Sequence, residues 1–148
     1  MLRSAELPFT ATLLVRDTCL CLHVQRAARA LARRYDEALR PIGLTSGQFS
    51  LLMSLNRPEP PDMKQVATLL AMDRTTLTAN LKPLQRRGLV SVRTAEPDKR
   101  RRIMALTAEG RSKLATAMPI WQRTHQALER LLEGSDPERL RGDLRALS

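Results

Sequence analysis

Between Asp73 and Thr107 the chain concentrates side chains that can grip a polyanion. The stretch reads DRTTLTANLKPLQRRGLVSVRTAEPDKRRRIMALT. Arg74, Thr75, Thr76, Thr78, Asn80 and Lys82 are cations or hydroxyl and amide donors, the types that bond phosphate oxygens and base edges. A second cluster, Lys99-Arg100-Arg101-Arg102, follows Asp98 directly. From Asp73 to Lys113 there are 11 Lys/Arg against 4 Asp/Glu, so +7 of the chain's +10 formal charge falls in this one stretch. A patch so concentrated is the footprint of nucleic-acid binding, where an ordinary solvated surface would spread its charge. Nothing comparable points to catalysis. There is no nucleophile–base pair, no phosphate-cradling glycine loop and no spaced set of His, Cys or carboxylates for a metal. His23 and His125 stand alone. No catalytic residue, metal or cofactor is expected.

The elements that must hold these groups follow from local pattern. Asp73 suits a helix N-cap, and Leu77, Leu81 and Leu84 give that helix one apolar face. Arg74, Thr75, Thr78, Asn80 and Lys82 fall off it. Gly88, after Arg86 and Arg87, marks the helix end. LVSVRT and RRIMALT alternate as strands, with AEPDKR as the turn between them. Upstream, Asp62 caps a short helix from Met63 to about Ala71, with Val66, Leu69 and Leu70 facing inward. Met72-Asp73 is the turn between the two, so together they read as a helix-turn-helix whose second helix enters a major groove. Pro83 inside that second helix is expected to bend or weaken it.

The pattern Gly88-Leu89-Val90, then Asp98-x-Arg100, then Leu106-Thr107 and Gly110 resembles the wing signature of the MarR family of bacterial transcription regulators. The resemblance extends over roughly residues 13 to 147. It implies a mainly α (α+β) fold: a winged helix-turn-helix lobe over 44–106, with dimerisation helices over 13–42 and 107–148. It also implies a homodimer on a near-palindromic double-stranded operator. Arg100 would enter the minor groove at the wing tip, and Asp98 would shape the wing. Many members of the family release DNA on binding a small lipophilic or phenolic effector in a cleft between the dimer helices and the lobe. The organic-hydroperoxide-sensing branch carries its reactive cysteine at the position matching Cys21 and a tyrosine at that matching Tyr35. Gln25 and Ser46 stand where that branch has two further tyrosines. The simpler reading of Cys21 is a small buried apolar packing residue.

The flanks supply the remaining expectations. At 148 residues one domain, 1–148, is expected. With aromatics at only 3%, its core must be built mainly from Leu, Ala, Val and Met. Residues 1 to about 12 read as a loose lead-in. A long helix follows from about Leu13 to Leu39, with Leu20, Val24, Leu31, Tyr35 and Ala38 along one stripe and Arg26, Arg29, Arg33 and Arg34 opposite. Thr45 or Ser46 opens the next helix, and NRPEPP (56–61) is a stiff connector. Thr107 caps a helix whose Leu114, Met118, Trp121, His125, Leu128 and Leu132 step by fours and threes, with a kink expected at Pro119. A last helix carries Leu140, Leu144 and Leu147. Apolar stripes at both chain ends exceed what one small lobe can bury, which favours a two-fold dimer. No stretch is apolar enough to span a bilayer and no secretory leader is evident, so no membrane partner and a cytoplasmic location are expected. Two cysteines do not make a disulfide framework. The expected function is a sequence-specific DNA-binding transcription repressor. The rivals are a non-specific architectural DNA binder and a winged-helix protein-interaction module.

Overall fold

The computed structural model describes residues 6–148. The lead-in ends earlier than its residues suggested, because α1 already spans Phe9–Thr18. Pro8 does not oppose it: a fixed φ of −67° just before the first turn suits helix entry. The part of the lead-in at residues 1–5 lies outside the described residues. The single helix expected over 13–39 is two. Cys19 sits in extended backbone with ψ at 109°, and α2 runs from Leu20 to Leu39. Cys19 itself caps α2 through a Leu22 N–H to Sγ contact of 3.5 Å.

A turn of 3-10 helix ends at Gly43, whose φ of 73° only glycine adopts freely. α3 (Ser46–Ser54) opens with a reciprocal capping box between Thr45 and Gln48. The proline-rich connector then turns inward. Pro61 is fully buried, its carbonyl accepts the Met104 N–H at 3.0 Å, and Asp62 bridges to Ile103. A second capping box, Asp62 with Gln65, starts α4 (Met63–Leu69). Leu69, expected to face inward, is 65% exposed, since the helix ends there and only Met63, Val66 and Ala67 reach the core.

After Ala71 (φ 51°), Asp73 caps α5, Arg74–Arg86. The helix continues through Pro83. The proline leaves the Ala79 carbonyl without its usual donor, but Ala79 is exposed and water can satisfy it. Gly88, at φ 71°, turns the chain into β1 (Val90–Thr94), which pairs antiparallel with β2 (Arg102–Leu106) in the register Val90–Leu106 to Thr94–Arg102.

One node locks this hairpin to the helix after it. Thr107 donates its hydroxyl to the Gly88 carbonyl at 2.6 Å and its N–H to the Leu89 carbonyl at 3.1 Å. The same hydroxyl accepts the Gly110 N–H at 3.0 Å, capping α6, Ala108–Glu129. A Cβ on Gly110 would stand 2.0 Å from the Leu89 carbonyl oxygen. The Gly-Leu…Leu-Thr…Gly pattern is therefore a packing requirement between the wing and α6. α6 is continuous across Pro119, and α7 (Pro137–Ala146) follows, capped by Asp136. Leu39, Leu52, Leu77, Leu84, Met104 and Leu114 anchor a core shared by α2, α3, α5, the hairpin and α6.

Candidate nucleic-acid interface

The buried face of α5 (Leu77, Leu81, Leu84) fixes which of its side chains meet solvent. Arg74, Thr75, Thr76, Asn80 and Lys82 are exposed and Thr78 is half-buried. They are not equally available. Asp73 takes the Thr76 N–H at 2.8 Å on one oxygen and the Thr76 hydroxyl at 2.7 Å on the other. Those two bonds hold the Asp73 carboxyl below the usual carboxylate range. Thr78 donates its hydroxyl to the Arg74 carbonyl at 2.8 Å and keeps only acceptor capacity. The Asn80 amide rests 3.5 Å from the Met72 sulfur, a weak acceptor it can leave. Thr75, Asn80, Arg74 and Lys82 are thus the free groups. Neither cation makes an ion pair among the described residues.

The wing tip is folded by Asp98. Its Oδ1 accepts the Arg100 N–H at 3.0 Å, and its carbonyl accepts the Arg101 N–H at 3.1 Å. A further bond, Ala95 N–H to the Arg101 carbonyl at 2.7 Å, closes the loop. Lys99, Arg100 and Arg102 are exposed and without an acidic partner among the described residues. Arg101 differs: its Nε donates to Asp62 Oδ2 at 2.8 Å. This contact joins residues 39 apart, and no local pattern in the sequence announces it. Arg93, exposed on β1 opposite Ile103, is a further exposed cation of the hairpin that was not among the candidates.

Away from this face, Cys21 is exposed at the start of α2, with the Gln25 amide 3.3 Å from its sulfur. A buried packing role for it is not what the single chain displays. Tyr35 is half-buried further along the same helix, and its phenol is held above its usual range by burial and by Glu129. Fourteen residues of helix separate the two by about 21 Å. Between α3 and α6 an open cleft of about 460 Å3 is lined by Phe49, Met53, Leu70, Met118 and Trp121. Trp121 stacks on Phe49 at 6.3 Å and on His125 at 4.7 Å. No described helix is long and apolar enough to cross a membrane.

A helix-turn-helix whose second helix leads into a basic two-stranded wing defines the winged helix-turn-helix class. A sequence model of the MarR family matches residues 42–101. The chain is 35% identical over 97 residues to the transcriptional regulator HosA of Escherichia coli O111:H-, covering 64% of this chain and 70% of that one. It is 34% identical over 90 residues to the uncharacterized HTH-type transcriptional regulator YwoH of Bacillus subtilis strain 168, where the match spans 61% of this chain but only 65% of YwoH. Among solved structures, the M. tuberculosis transcriptional regulator MosR in complex with DNA superposes with a TM-score of 0.80 at 38% identity, covering 88% of this chain and 93% of that one. The chain belongs to the MarR family.

Proposed function

We propose that the protein is a homodimeric transcription regulator that binds a near-palindromic DNA duplex and acts as a repressor. The observation carrying this is the free basic set on the winged lobe: Arg74 and Lys82 on α5, with Lys99, Arg100 and Arg102 on the wing, exposed and unpaired among the described residues. The likeness to MosR, solved on DNA, agrees with it. In this reading the exposed N-terminal half of α5 sits in the major groove, with Thr75 and Asn80 at base edges and Arg74 and Lys82 on phosphates. Thr76 and Thr78, whose hydroxyl protons are committed internally, contribute backbone positioning or accept a bond. Arg100 enters the minor groove and Lys99 and Arg102 draw phosphates.

Dimerisation runs through the chain ends, over 13–42 and 107–148, leaving 44–106 as the reading lobe. Leu14, Val15, Leu20 and Leu31 at one end and Leu140, Leu144 and Leu147 at the other are exposed in the single chain. Release follows from a small lipophilic or phenolic effector seated in the Phe49–Trp121 cleft, where it bears on both the lobe and the long helix α6. A second route is oxidation of Cys21, which rests on its match to the reactive position of the hydroperoxide-sensing branch. Because about 21 Å separates Cys21 from Tyr35 within one helix, the two can meet only between protomers.

The test is selection of bound duplexes from a randomised pool, with and without an organic hydroperoxide. A palindromic consensus is expected, and enrichment of no sequence would favour an architectural binder. Retention of no duplex at low salt would favour a protein-interaction module. Arg100→Ala should weaken binding and flatten A/T preference beside each half-site. Cys21→Ser should abolish hydroperoxide release, and a variant that still lets go removes Cys21 as the trigger.

A further inference from the structure

Asp62 stands at the junction of three elements. One carboxylate oxygen accepts the Gln65 N–H at 2.9 Å and so caps α4, the first helix of the helix-turn-helix. The other accepts the Arg101 Nε at 2.8 Å from the tip end of the wing. Its backbone bridges Ile103 on β2, beside the Pro61–Met104 bond. The Asp62 side chain is only 18% exposed, whereas Arg101 is half-exposed. On the other side of Arg101, its N–H and carbonyl are bonded to Asp98 and Ala95, which fold the tip.

We propose that Arg101 is a positioning residue and not a DNA contact: clamped by Asp62, it fixes the wing against the helix-turn-helix so that Arg100 and Arg102 present at a set angle. The clamp rests on the DNA-binding reading above and assigns that interface one further part. Two opposed pulls act on Arg101. A DNA phosphate competes for the guanidinium, but Asp62 is nearly enclosed and held by the α4 terminus, so the pair is already aligned before DNA arrives. Breaking it would strand a carboxylate beside a polyanion, at a cost the phosphate bond must first overcome.

The experiment turns on a sign. Removing an acidic charge near DNA ordinarily tightens binding, because repulsion falls. Asp62→Asn keeps the cap, since asparagine caps as well as aspartate, so the variant should fold. The clamp predicts that Asp62→Asn nonetheless weakens binding of the best duplex from the randomised pool by about fivefold, the scale of removing one partly exposed ion pair per protomer. Arg101→Ala should weaken it similarly, and the double variant should be no worse than either single. The slope of log affinity against log salt should stay near that of the unaltered protein in Arg101→Ala. Were Arg101 bound to a phosphate in each protomer, its removal would instead lower that slope by about 1.8. Footprints of both variants should lose protection at the minor-groove flanks and keep it over the half-sites. Tighter binding by Asp62→Asn, or a reduced slope in Arg101→Ala, overturns the clamp while leaving DNA binding intact. If the unaltered protein retains no duplex even at low salt, the DNA-binding reading itself falls and takes the clamp with it.

Discussion

The lobe and the ends of this chain treat their leucines in opposite ways. In the lobe, Leu77, Leu81 and Leu84 of α5 and Met104 of β2 are buried within a single chain, with no more than 3% of any of them exposed. At the ends, Leu14 and Leu20 remain above 60% exposed, and Leu140 and Leu144 near 40%. Neither α1 nor α7 contributes a buried residue. Both regions have helical apolar spacing, so the periodicity alone does not separate them. The lobe's leucines are buried within one chain, while α1 and α7 leave apolar area exposed that the proposed dimer would cover.

The largest effect is expected at the seam joining the two regions. Gly110→Ala puts a methyl group 2.0 Å from the Leu89 carbonyl oxygen, and the neighbour is backbone that cannot step aside. The wing and α6 must move apart. We expect a loss of about 4 kcal/mol in denaturant unfolding, among the largest a single small substitution produces. A loss below about 1 kcal/mol, the size of an ordinary point mutation, would mean that α6 can slide, and that lobe and ends are less tightly coupled than this node implies.

Next in size is one chemical change made in both regions. Leu77→Ala should cost about 3 kcal/mol at every protein concentration, because its cavity opens inside one chain. Leu144→Ala should leave the lobe's own stability nearly unchanged and shift the monomer–dimer balance instead, seen as a concentration-dependent midpoint and an earlier fall in sedimentation mass. If both variants behave alike, the two regions are one cooperative core and the contrast between them fails.

The same contrast separates the features that were legible in the sequence from those that were not. The caps Asp62, Asp73 and Thr107, the three leucines of α5 and the turn at Gly88 carry local signals, and local hydrogen bonding enforces them. The break at Cys19 carried none: no glycine or proline marks it, and a half-buried cysteine caps the second helix with its sulfur. Pro83 and Pro119 each remove one backbone donor, and both helices continue through them. The free cations of the interface were legible as a charge cluster. Which of them is spoken for was not, since the Asp62–Arg101 pair depends on the wing folding back over the connector.

The smallest expected effect separates cap chemistry from core packing within the lobe. Asp73 and Asp62 accept backbone N–H bonds as carboxylates, and both titrate below their usual range for that reason first. A depressed folded-state value means that each adds stability above the unfolded carboxyl's pKa, about 4, and that this is lost as pH falls through the lower folded value. Unfolding midpoints should therefore decline gently below about pH 4. Asp73→Asn tests the cause. Asparagine caps without a charge, so the variant should match the parent near neutrality and show a shallower acid decline. An unchanged acid limb would pass the loss to Asp62, and if Asp62→Asn also leaves it unchanged, to Glu129 and Glu138. Both are held low by Arg141 of α7, which pairs across to Glu129 of α6 and along its own helix to Glu138, so the acid sensitivity would then belong to the ends and not to the lobe.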